Sequence, residues 1–208
     1  MKIGIFGGSF NPPHLGHKKM IADLILQHIL DRVIIVPVGN YYNKNEMVDF
    51  KDRYKMIKLL FKDMPQVEIS KIENTESPNY TYQTMDYFKN KFPLDDVYFV
   101  LSTDNVTDIK NWKNADYLIK FHKFVVVDRY GDMFKCVDNS FLKNKNFIFT
   151  DVVGQNFSST LIRSLLKNDA NYKQLKSSMP KNLLDYISKN NLYKSNKIDN
   201  WLFCYILI

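Results

Sequence analysis

Short apolar runs alternate along the chain with longer segments in which apolar residues recur at helical spacing, the pattern of a parallel sheet covered by helices. The runs Ile3–Phe6, Val33–Pro37, Val67–Ser70, Val97–Leu101, Phe124–Val127 and Phe147–Phe149 are short and rich in β-branched or aromatic residues, and read as strands. Between the first two, Met20, Ile21, Leu24, Ile25 and Ile29 share one face and predict a helix from about His17 to Leu30. Tyr54, Ile57, Lys58 and Phe61 predict a second helix and Tyr82 to Phe92 a third. Leu161, Leu165 and Leu166 predict a fourth, and Leu183, Leu184, Ile187 and Leu192 a last one. The expected architecture is α/β, a doubly wound parallel sheet with flanking helices, without internal repeat or linker.

At 208 residues, with 45% hydrophobic and 14% aromatic content, one core can form without help from disulfides or metals. We expect one domain over residues 1–193 and a tail over 194–208. Cys136 and Cys204 lie far apart with no cysteine or histidine at ligand spacing, so a disulfide framework and a zinc site are not expected; this usage suits a reducing cytoplasm. Met1 to Phe6 leads straight into a strand and a glycine turn, so no export signal is expected. The apolar run Trp201 to Ile208 is too short for a membrane helix, and reads equally as a terminal strand or a frayed end.

The formal charge of +7 suits an anionic partner, whether a small phosphorylated ligand or a nucleic acid. Many lysines sit beside asparagines, as in Lys89-Asn90-Lys91 and Lys143-Asn144-Lys145-Asn146, which reads as solvated surface instead of a phosphate-tracking stripe. Charge therefore leaves the choice of partner to the motifs.

The segment Gly7-Gly8-Ser9-Phe10-Asn11-Pro12-Pro13-His14-Leu15-Gly16-His17 follows the first strand, where a parallel sheet places its ligands. Gly7 and Gly8 let the backbone turn and a phosphate approach its N–H groups. His14 and His17, three apart where a helix opens, can share one face near the positive end of its dipole and point at one phosphate. Gly16 leaves room for a base against that helix. His28, deep in the predicted helix, and His122, beside Phe121 and Phe124, read as packing or surface residues.

This segment resembles the H-x-G-H signature of a nucleotidyltransferase superfamily, and its Gly-Gly-Ser-Phe…Asn-Pro-Pro-His-Leu-Gly-His form is most similar to bacterial nicotinate-nucleotide adenylyltransferases. The resemblance implies a Rossmann-like nucleotidyltransferase fold. Phe157-Ser158-Ser159-Thr160-Leu161-Ile162-Arg163 has the chemistry of a helix cap, by itself an ordinary one with a surface arginine. In the resembled family, the matching Ser-Ser-Thr-x-x-Arg run grips the triphosphate of ATP. Tyr80-Thr81-Tyr82-Gln83-Thr84, Asp104 with Trp112, Phe124 to Arg129, Tyr186-Ile187 and Leu192-Tyr193 extend the likeness over nearly residues 1 to 193.

Carried over by position, His14, His17 and Arg163 would act in catalysis. Gly7, Gly8, Ser9, Phe10, Gly16, Asp104, Ser158, Ser159, Thr160 and Arg163 would hold ATP, while Asn40, Lys44, Thr84 and Trp112 would meet the acceptor. Trp112 would stack on a pyridine ring, although a packing role for a tryptophan is as natural. The chain departs from the family at Asn40-Tyr41-Tyr42-Asn43-Lys44, where a Pro-Pro-His-Lys run is usual, and at Ser102-Thr103-Asp104, where Gly-Ala-Asp is usual; both fall on the acceptor side.

The implied reaction is in-line attack by the phosphate of a pyridine mononucleotide on the α-phosphorus of ATP, with Mg²⁺ shielding the triphosphate and no metal ligand assigned to the protein. The expected partners are thus ATP and that mononucleotide, with neither nucleic acid nor membrane, and homo-oligomerisation is left open. Two alternatives remain: transfer to another phosphorylated metabolite such as phosphopantetheine, and a basic nucleotide- or RNA-binding module without activity.

Overall fold

The computed structural model describes residues 1–42, 46–128, 137–154, 157–167 and 172–194. Its centre is a sheet of six parallel strands: β1 (Lys2–Gly8), β2 (Arg32–Pro37), β3 (Val67–Ile69), β4 (Asp96–Ser102), β5 (Lys123–Asp128) and β6 (Phe147–Val153). Their order, β3-β2-β1-β4-β5-β6, reverses direction between β1 and β4, as in a Rossmann-like doubly wound sheet. All six predicted strands are present.

Successive residues of a strand point to opposite faces, so apolar runs such as Arg32–Pro37 can serve two cores at once. Val33 and Ile35 join one core; Ile34 and Val36 join the other. The first core is closed by α1 (Leu15–Leu26), α2 (Phe50–Leu60), α7 (Ser159–Leu166), α8 (Tyr172–Ser178) and α9 (Lys181–Lys189). The second is closed by α3 (Thr81–Lys91), α4 (Thr103–Asp108), α5 (Ala115–Phe121) and α6 (Asn139–Leu142). Ile5, with no exposed surface, sits centrally, where truncation to alanine would cost about 2–5 kcal/mol.

α1 starts earlier than its apolar period suggested, because His14 is its N-cap, and it stops earlier because His28 adopts φ 54. There the N–H of Ile29 bonds to the carbonyl of Leu24 at 3.0 Å and that of His28 to Ile25 at 3.0 Å, a Schellman ending built on a histidine. His28 therefore terminates a helix, and His122 is buried with Nε2 3.0 Å from Asp86. α4, α5, α6 and α8 were not foreseen, since each is too short to repeat a 3.6-residue period.

The chain returns to its start near the end. Tyr193 hydroxyl donates to Asn11 Oδ1 at 2.8 Å, and Tyr186 hydroxyl donates to Asp52 Oδ1 at 2.7 Å. Burial pushes the phenol of Tyr193 well above its ordinary range, so it stays a neutral donor. Lys44, Arg129, Cys136, Cys204 and residues 195–208 of the expected tail lie outside the described residues.

Candidate active site

β1 ends at Gly8, and the chain must turn sharply before α1 begins. Phe10 makes that turn at φ 46, a left-handed conformation costly for a residue with a side chain. Its ring is 2% exposed and packs on Phe6 at 5.3 Å and on His17 at 5.2 Å between ring centroids. Core burial thus holds the turn in the shape that brings the histidines to the mouth of the sheet.

The rings of His14 and His17 stack 3.7 Å apart at 26°. The backbone N–H of His14 donates to Nδ1 of His17 at 3.2 Å, which satisfies an otherwise orphaned donor at the start of α1. With Nδ1 accepting, a neutral His17 carries its proton on Nε2, which makes that atom a donor. Both residues line the cleft described below, beside the positive end of α1.

A second helix start meets the same cleft. Ser158 caps α7, its hydroxyl accepting from the N–H of Leu161 at 3.1 Å. Ser159 Oγ donates to the carbonyl of Pro12 at 2.9 Å, and Arg163 Nη1 donates to the carbonyl of Asn11 at 2.8 Å. These bonds lock α7 onto the turn after β1, across 152 residues of sequence in the case of Arg163. Arg163 also lies 3.6 Å from Glu46, which pairs with Lys167. Lys167 first, and Arg163 after it, hold the Glu46 carboxyl below its ordinary range.

Between these groups opens a cleft of about 930 Å³, bounded by the ends of β1 and β4 where the strand order reverses. This is where open α/β sheets take ligands. Gly7, Gly8, Ser9, Phe10, Gly16 and the Ser158-Ser159-Thr160 run line its first end together with His14, His17 and Arg163.

The other end is formed by residues scattered through the chain. Glu73 is 6% exposed; Thr84 Oγ1 donates to its Oε1 at 2.7 Å and accepts from Asn79 Nδ2 at 3.0 Å. Burial raises the Glu73 carboxyl to about 7, partly offset by the Thr84 bond. Gly39 is required here, because a Cβ would come within 2.1 Å of the Glu73 carbonyl oxygen. Trp112 closes this end, edge-on to Phe99 at 6.0 Å, with Nε1 donating to Asp108 Oδ2 at 3.2 Å.

Of the residues singled out from sequence, Thr84 and Trp112 line the cleft; Asn40 and Asp104 are not among the lining residues. Asn40 Oδ1 accepts from the Phe50 N–H at 2.7 Å and from Arg53 Nη2 at 3.3 Å, so its side chain serves the start of α2. Asp104 opens α4 and accepts from Ser102 Oγ, and Ser102 itself lines the cleft. Glu73, Asn79, Asn105 and Asp108 line it without having been foreseen. Buried Arg53 was missed as well; its Nη1 donates to the Ser9 carbonyl at 3.0 Å and its Nε to the Val48 carbonyl at 2.9 Å, bracing the turn from below.

The family described as cytidylyltransferase-like matches residues 5–165, the stretch that carries both helix starts. A Fusobacterium nucleatum protein named "Probable nicotinate-nucleotide adenylyltransferase" is 37% identical over 189 residues, covering 89% of this chain and 97% of that one. One of the same name from Endomicrobium trichonymphae is 36% identical, covering 93% and 99%. The chain belongs to the nicotinate-nucleotide adenylyltransferase family. Its fold is shared with the nicotinic acid mononucleotide adenylyltransferase of Plasmodium falciparum complexed with NaAD, at a TM-score of 0.78 and 22% identity over 92% of this chain and 97% of that chain. The matched residues include both ends of the cleft.

Proposed function

We propose that this protein joins nicotinate mononucleotide to the AMP moiety of ATP, giving the dinucleotide of NAD biosynthesis and pyrophosphate. The observation that carries this reading is the convergence of two helix starts, with the stacked His14–His17 pair and Arg163, on one cleft at the β1–β4 reversal. A site of that kind offers N–H dipoles, imidazole donors and a fixed cation to phosphate oxygens, and no nucleophile is needed.

An oxygen of the mononucleotide phosphate would attack the α-phosphorus of ATP, the bond from that phosphorus to the bridging oxygen would break, and pyrophosphate would leave. Little covalent chemistry falls to the protein in such a transfer; positioning and charge stabilisation carry it. His17, through Nε2–H, and His14 would donate to oxygens on and beside the α-phosphate as charge builds there. Arg163 and the N-terminus of α7 would receive the pyrophosphate, taking Arg163 away from Glu46. Mg²⁺ would enter as part of the ATP complex, with phosphate oxygens and water as most of its ligands. Ser102 at the end of β4 and Asp104 in the first turn of α4 would offer hard oxygens to such an ion, directly or through water. A co-substrate of this kind supports a cytoplasmic setting, and among the described residues no helix is long and apolar enough to cross a membrane.

The test is pyrophosphate release with ATP, Mg²⁺ and, in parallel, nicotinate mononucleotide, nicotinamide mononucleotide and phosphopantetheine, each product identified by mass. Turnover with a pyridine nucleotide is expected. Turnover with phosphopantetheine alone would overturn the acceptor assignment.

A further inference from the structure

Glu73, Thr84 and Asn79 form a chain of hydrogen bonds in the cleft wall that the phosphoryl transfer does not use. Its direction is fixed by counting protons. A threonine hydroxyl has one, and beside an ionised Glu73, which can only accept, Thr84 commits it to Oε1 at 2.7 Å. Thr84 therefore only accepts from its other neighbour, so Asn79 must turn its amide nitrogen, not its oxygen, toward Thr84 at 3.0 Å. The Asn79 backbone is held as well, its carbonyl accepting from Tyr41 hydroxyl at 3.1 Å. Both Glu73 and Thr84 are buried, at 6% and 2% exposure, so neither re-forms its bonds to water at no cost.

We infer that Glu73 is a specificity-determining positioning residue: through Thr84 it locks the carboxamide of Asn79 in one orientation, and Asn79 thereby tells a carboxylate on the acceptor's ring from a carboxamide. The two ring substituents have nearly the same shape and differ in what they offer, acceptors only in the carboxylate, acceptors and donors in the carboxamide. A rotating asparagine could serve either by turning over its oxygen and nitrogen. A locked one serves one better, because the mismatched substituent leaves a polar group without a partner. The inference rests on the proposed pyridine nucleotide acceptor.

The experiment measures kcat/KM for nicotinate and nicotinamide mononucleotides, and KM for ATP, in the intact protein and in Thr84→Val, Thr84→Ser, Glu73→Ala and Asn79→Ala. The intact protein should discriminate between the two acceptors. Thr84→Val, which keeps the shape and removes the hydroxyl, should shrink that ratio at least fivefold, as should Glu73→Ala and Asn79→Ala. Thr84→Ser should keep it, and the KM for ATP should stay within twofold throughout. Should Glu73→Ala fail to fold, Thr84→Val and Asn79→Ala carry the test. An unchanged ratio in Thr84→Val and Asn79→Ala overturns the inference while leaving the acceptor assignment standing, as does an intact protein that uses both nucleotides equally. No turnover of either nucleotide overturns both.

Discussion

The two ends of the cleft are built on different plans. The end proposed for the triphosphate comes from two contiguous stretches, residues 7–17 and 157–163, each placed by the start of a helix. It offers backbone N–H groups, two imidazoles and one guanidinium, fixed by bonds such as Ser159 to Pro12. The end proposed for the acceptor draws on Glu73, Asn79, Thr84, Asp108 and Trp112, brought together from loops and two helices, α3 and α4. Helix geometry alone can specify an anion site, whereas reading the ring of a small acceptor takes a wall of side chains oriented by one another.

The comparison breaks most sharply at His17. Replacement by alanine should lower kcat about 100-fold to 1,000-fold, as for loss of one preorganised donor to a developing charge, while circular dichroism stays native. An alanine variant of full activity would remove His17 from the chemistry. Arg163→Ala should act next most strongly, chiefly by raising KM for ATP by about tenfold or more with a smaller change in acceptor KM. Equal effects on both substrates would mean that the two ends are not separable.

That division also decides what was legible in the sequence. The first of the two stretches could be read directly, because glycines and histidines at fixed offsets from a helix start leave a local pattern, whereas the second read by itself as an ordinary helix cap and took its proposed role from the family resemblance. The six strands were readable for the same reason, each being a short apolar run between turns. Asn40 shows the opposite case: carried over by position as an acceptor residue, it accepts with Oδ1 from the N–H of Phe50, ten residues on, at the start of α2. Glu73 was invisible because its burial and its bond to Thr84, eleven residues away, depend on how the segment before α3 folds back. Arg53 offered a weak signal, a lone arginine in an amphipathic helix, which only the fully buried setting reveals as a brace for Ser9.

Glu73 also gives its end of the cleft a pH signature. Burial raises its carboxyl from the ordinary 4.5 to about 7, a displacement worth on the order of 3 kcal/mol. Because the folded value is the higher one, this contribution to stability is whole below about pH 4.5 and is lost as pH rises through about 7. Glu73→Gln, which cannot ionise, should therefore gain stability over the native protein between pH 5 and pH 8 in urea unfolding. A difference that does not change with pH would show that Glu73 keeps its ordinary titration.

The smallest effect is expected at Tyr193, which ties the end of the described chain to the turn at Asn11. Tyr193→Phe should cost about 1 kcal/mol, since Asn11 Oδ1 keeps a second donor in the N–H of Val48 at 3.2 Å. Any loss of activity should then appear in ATP binding and spare the acceptor.

The most direct test of the account follows label from ATP into product. With nicotinate mononucleotide and Mg²⁺, label in the α-phosphate should appear in the dinucleotide and label in the γ-phosphate in pyrophosphate. Transfer of the γ-phosphate to the acceptor, or release of α-label as free AMP without dinucleotide, would contradict adenylyl transfer at this cleft.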